Sequence, residues 1–129
     1  MKDKELKITT LEEIRKRTED QIQELPGFGD GEPFVAKLRR VSLMEMAQRG
    51  IIPNELMGAV SDLYTMGVGA VKSLPDVAKT YAFFAEQSLV EPSYTQLREA
   101  GITLTDTQLM AIYLYSVGGV AALKPFRGQ

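Results

Sequence analysis

Gln21-Ile22-Gln23-Glu24-Leu25-Pro26-Gly27-Phe28-Gly29-Asp30-Gly31-Glu32-Pro33-Phe34-Val35-Ala36-Lys37-Leu38-Arg39-Arg40-Val41 is the stretch that decides the fold, because here the residue pattern is not helical. Phe34, Ala36 and Leu38 alternate with Val35, Lys37 and Arg39, the period of a half-buried strand. Residues 21–25 form a second strand-like run. Between the two runs, Pro26 to Pro33 is dense in residues that permit or force turns. The economical interpretation is a β-hairpin with strands over 21–25 and 34–41 and a longish loop. Two strands alone are marginal, so one face must pack on the helices that follow.

Outward from the hairpin, the chain is helical and well punctuated. Upstream, Thr10-Leu11-Glu12-Glu13 reads as a capping box opening a short helix that ends near Thr18. Downstream, Ser42-Leu43-Met44-Glu45 is a second box, and Gly50 stops that helix. Pro53-Asn54 starts the next, with Leu56, Met57, Val60, Leu63 and Tyr64 at helical spacing. Ser73-Leu74-Pro75-Asp76 opens a helix carrying Val77, Tyr81, Phe84, Ala85 and Leu89, ended by Pro92. Ser93 caps a short helix closed by Gly101, and Thr105-Asp106-Thr107-Gln108 is a third box before Leu109, Ile112, Tyr113, Ser116 and Val117. The expected class is mainly α (α+β): four to five short helices with one N-terminal β-hairpin. The 129 residues suit a single domain, with residues 1–9 loose, 20–41 the hairpin, 42–123 a helical core and 124–129 a tail.

Composition narrows the chemistry. Hydrophobic residues make up 44% of the chain and charged residues 25%, enough apolar material for a core. Fifteen basic and seventeen acidic side chains give a net charge of −2, whereas a nucleic-acid binder usually shows a basic excess. There is no cysteine, which excludes disulfides and thiolate chemistry, and no histidine, the commonest transition-metal ligand and ready proton carrier. No catalytic residue, cofactor or metal is expected. Met1-Lys2-Asp3-Lys4-Glu5 has no apolar core of the kind a secretory signal needs. The charge-free run between Asp106 and Lys124 is too short and polar for a membrane span, and a buried helix explains it better.

Several features have both a functional and a bland interpretation. The Gly27-Phe28-Gly29-Asp30-Gly31 spacing superficially matches a phosphate loop, but a strand-like run follows it where a helix should begin, so the hairpin loop is preferred. Lys37, Arg39 and Arg40 suggest a basic strand for nucleic acid, yet a solvated face or a salt-bridge site fits this weakly acidic chain better. Glu12 and Glu13 point about a hundred degrees apart on a helix and cannot converge on one substrate. The methionines Met44, Met46, Met57, Met66 and Met110 sit on helical stripes, so gap filling in the core is preferred over a surface that repacks against partners. Phe126 and Arg127 follow the last helix, either as interface anchors or with Phe126 folded back to close the core.

Four segments, taken in order and spacing, carry a resemblance: Leu25-Pro26-Gly27-Phe28 with Gly31-Glu32-Pro33-Phe34-Val35; Leu38-Arg39-Arg40-Val41-Ser42-Leu43; Gly50-Ile51-Ile52-Pro53-Asn54; and Leu104-Thr105-Asp106-Thr107-Gln108-Leu109 with Gly119-Val120-Ala121-Ala122-Leu123-Lys124-Pro125-Phe126-Arg127. The set resembles tail assembly chaperones of long-tailed bacteriophages and of prophages in Gram-positive bacteria. The likeness covers most of residues 20–127 and is least typical around 66–75. It implies a non-enzymatic protein of the bacterial host cytoplasm, absent from the finished virion, that coats the helical tape measure protein and recruits tail tube subunits. Self-association fits that many-copy role, and neither nucleic acid nor membrane is an expected partner. Met57, Leu63, Tyr64 and Tyr113 are the candidate lining of a groove for a client helix, with Phe126 and Arg127 as candidate anchors. The alternatives are a structural head–tail connector or tail-completion protein, and a small nucleic-acid-binding regulator.

Overall fold

The computed structural model describes residues 5–66, 73–118 and 123. The chain runs α1 (Leu11–Thr18), β1 (Gln21–Leu25), β2 (Phe34–Leu38), α2 (Leu43–Arg49), a 3₁₀ turn (Asn54–Leu56), α3 (Met57–Met66), α4 (Leu74–Ser88), β3 (Leu89–Glu91), α5 (Tyr94–Glu99) and α6 (Asp106–Gly118). It is mostly helical with a small antiparallel sheet, as the residue pattern predicts. The described residues contain six α-helices where four to five were expected, and the hairpin follows the short helix α1, so it is near the N-terminus but not strictly N-terminal.

The hairpin forms between the two predicted runs, with Gln21 opposite Leu38 and Leu25 opposite Phe34. Its loop closes on itself: the Asp30 carboxylate accepts a hydrogen bond from the Glu32 amide at 3.2 Å, and Gly29 and Gly31 adopt positive φ. A Cβ at Gly27 would run into the Glu32 carbonyl, so only glycine fits there. The loop leads straight into β2, with no helix following it to receive a phosphate.

Three boundaries differ from the expectation. β2 ends at Leu38, because the Arg39 amide turns to donate to the Ser88 carbonyl (2.8 Å) and the Val41 amide to the Ser116 carbonyl (3.0 Å). A single 3₁₀ turn precedes α3. The helix expected to reach Pro92 stops at Ser88, and Leu89–Glu91 becomes a third strand on the free edge of β2, giving the order β1-β2-β3. Ser88 fixes that junction by donating its hydroxyl to the Arg39 carbonyl at 2.7 Å.

The caps form where the sequence places them, but the box expected at Ser42 is only half made, because the Glu45 side chain does not return to the Ser42 amide. Thr10 with Glu13 and Ser93 with Gln96 form reciprocal capping boxes, and Ser42 and Ser73 each accept from the amide three residues on. Gly50 ends α2 in the left-handed conformation at φ 71°.

The interior has two clusters. One joins the inward sheet face (Leu25, Ala36, Leu38) to Leu89, Leu97, Leu104, Ile112, Tyr115 and Leu123. The other holds Met46, Ile52, Leu56, Val60, Leu63, Phe83, Phe84 and Tyr113. Helices α4 and α6 feed both, so α6 is buried on several sides, which explains its nearly charge-free sequence. Among the described residues, each buried polar side chain is bonded: Thr80 to the Asp76 carbonyl, Ser116 to the Tyr113 carbonyl, Ser88 as above, and Gln108 to the hairpin. No helix among the described residues is long and apolar enough to cross a membrane.

Candidate partner-binding surface

The 3₁₀ turn and α3 bury the line Leu56, Val60, Leu63 against residues of α4 and α6, and this decides which predicted site residues face outward. Leu63 and Tyr113 do not: both are core residues. Tyr113 lies between Phe84 (centroids 4.9 Å, edge-on) and Tyr81 (5.2 Å, stacked), a packing that fixes the α4–α6 contact. Burial pushes the Tyr113 phenol above its ordinary pKa, with Tyr81 adding to the shift; burial alone raises Tyr81. Tyr64 belongs to α3. Phe126 and Arg127 lie outside the described residues.

Met57, by contrast, is exposed, and so are three further methionines. Met57 is 45% and Met66 67% accessible, Met44 and Met110 are exposed as well, and only Met46 of the five is in the core. The expectation of core filling is therefore corrected for four of the five. The physical reason is the narrowness of the buried line on these short helices. Met57 falls one position after Leu56, on another side, and Met66 lies past the last buried turn of α3.

Beside this segment is a cleft of about 260 Å³ between the 3₁₀ turn, α4 and α5. Leu56 and Phe83 form its buried floor. Its rim is charged: Lys79 pairs with Glu55 at 3.6 Å, and Arg98 pairs with Glu86 at 3.4 Å while lying 5.7 Å above the Tyr94 ring. All four ion-pair members are well exposed, so each pair adds little stability and opens easily. The volume lies below the ~300–1,000 Å³ of ordinary small-molecule sites and suits one large apolar side chain. No local pattern signals this cleft, since Glu86 and Arg98 are twelve residues apart on different helices.

Of the three basic residues of this segment, the two arginines just past β2 are engaged within the chain. Arg39 makes a two-pronged bond to Asp20, Nε to Oδ1 and Nη2 to Oδ2, each at 3.2 Å. Arg40 donates to the Val117 carbonyl at 3.4 Å. Among the described residues, no group of three or more Asp or Glu gathers closely enough to hold a metal ion. No protein-family model, curated protein or solved structure matches this chain.

Proposed function

We propose that this chain is a non-enzymatic tail assembly chaperone of a long-tailed bacteriophage or prophage, which binds the tape measure protein and helps bring tail tube subunits to it in the host cytoplasm. The order and spacing of the four segments quoted above support the identity of the client. One structural observation supports binding: Met44, Met57, Met66 and Met110 face solvent. Flexible thioethers on a surface adapt to different apolar partners without a fixed complementary shape. A tape measure chain exposes apolar helical faces until the tube encloses it, and such faces aggregate unless covered. The Leu56–Phe83 floor, rimmed by charges of both signs, is suited to one apolar anchor of an amphipathic helix with charged neighbours.

Co-expression with the long helical protein of the same gene cluster tests this. The client should stay soluble and co-purify, and Met57→Ser with Met66→Ser should reduce capture by about tenfold or more while thermal unfolding is unchanged. A client equally insoluble with and without this chain, and never retained by it, overturns the proposal. Stoichiometric presence of the chain in purified particles would instead favour a structural tail component.

A further inference from the structure

Helix α1 buries none of its eight residues. An isolated helix of that length is marginal in water, and most helix stability in proteins comes from packing an apolar face. Its stripe is nonetheless apolar: Leu11 is 79% accessible, Ile14 is exposed, and Leu6 and Ile8 lead into the helix equally uncovered. A second uncovered apolar surface lies close by in sequence. On the outward face of the sheet, Ile22 is 69% and Val35 53% accessible. The pairings Ile22 with Lys37, Glu24 with Val35, and Lys37 with Glu91 put all five on that one face.

The two surfaces match in charge as well. α1 has Glu12 and Glu13 in its first turn and Arg15, Lys16 and Arg17 in its last. Within α1, Glu12 pairs with Arg15 and Glu13 serves the cap, and the sheet face offers Glu24, on the diagonal from Lys37, and Glu91, in register with Lys37, to the basic turn. Within one chain the two are held apart. Only Glu19 and Asp20 link α1 to β1, Glu19 is extended (φ −74°, ψ 163°), and Asp20 is clamped by Arg39 at the end of β2.

We propose that α1 of one copy lies across the outward sheet face of a second copy, and reciprocally, forming a two-fold exchanged dimer. The exchange covers both apolar surfaces twice, as an isologous interface requires. It concerns a second copy of this chain and stands whether or not the client is a tape measure protein. The interface is small, so association should be weak and concentration-dependent.

The chain has no cysteine, which allows a clean test. Chains carrying Leu11→Cys alone and Val35→Cys alone are mixed at high concentration and oxidised. The expected product is the mixed dimer, with its disulfide joining position 11 of one chain to position 35 of the other, in clear excess over either self-linked dimer. In parallel, sedimentation equilibrium should show wild type moving from monomer toward dimer with concentration, and Ile14→Asp remaining monomeric with an unchanged unfolding midpoint. Wild type monomeric at every concentration overturns the proposal. So does exclusive self-linking of the Leu11→Cys chain, which would mean that α1 packs on α1, and so does an intrachain disulfide in a chain carrying both Leu11→Cys and Val35→Cys, which would mean that α1 folds onto its own sheet.

Discussion

Tyr113 shows how one side chain couples packing to pH. Its ring closes the contact between α4 and α6 through Phe84 and Tyr81, and burial there disfavours the phenolate. A pKa raised in the folded state means that the unfolded chain loses its proton first. The stabilisation is therefore complete below the ordinary tyrosine value of about 10 and is lost as pH rises from there through the raised values. Tyr81 and Tyr115 are raised by burial too, so their contributions run in the same direction. Urea unfolding followed between pH about 8 and 11 should show stability falling above pH about 10, with a shallower fall in Tyr113→Phe. Equal slopes for the two proteins would show that the Tyr113 phenol does not titrate differently on folding. Helical spacing placed Tyr113 on a stripe but could not say whether that stripe faces the core or a partner, because both demand the same apolar residues.

Among the elements, the contact between the hairpin loop and α6 hangs on Gln108. Its Oε1 accepts from the Thr105 amide (2.9 Å), completing the capping box, while its Nε2 donates to the Pro26 carbonyl (2.9 Å). The box is legible in the sequence, since it is a relation between residues three apart. The bond to Pro26 is not, because it spans 82 positions and depends on where the sheet lands. Gln108→Leu keeps the volume but leaves the half-buried Pro26 carbonyl and Thr105 amide without their partner, at about 1–3 kcal/mol for each group left unpaired. Chemical denaturation should therefore show a loss of roughly 2–4 kcal/mol, well above the ~1 kcal/mol of a lost cap alone. A loss no larger than that would mean that water replaces the Pro26 bond. β3 escaped the sequence for a related reason: Leu89 continues the apolar stripe of α4, and a three-residue strand has no period of its own.

Taken as a whole, the molecule has two apolar clusters and one pair of helices serving both. Ala85 of α4 and Ile112 and Tyr115 of α6 belong to the cluster under the sheet; Phe83 and Phe84 of α4 and Tyr113 of α6 belong to the other. Neither cluster can open without dislodging a helix that the other needs, so unfolding should be a single transition. The tyrosines report on both sides, Tyr115 in one cluster and Tyr113 in the other. Near-ultraviolet and far-ultraviolet circular dichroism should therefore trace one coincident urea curve. Phe84→Ala, at a fully buried site, should shift that curve by about 3–5 kcal/mol without splitting it. Two separated transitions would mean that the clusters are independent units.

The amino-acid sequence alone determined the class, the hairpin with its alternating faces, and the helix caps, because each of these depends on turn chemistry or on periodicity over a few residues. It also marked residues 106–118 as interior, since a helix with almost no charge has nowhere else to go. Only the tertiary structure decided which side of each stripe is buried. It moved Leu63 and Tyr113 into the core and put four methionines on the surface. It also drew the end of α4 into the sheet and brought Glu55 to Lys79 and Glu86 to Arg98 around a cleft. These outcomes depend on contacts between segments far apart in the chain, and spacing along a sequence does not encode which distant partner will arrive.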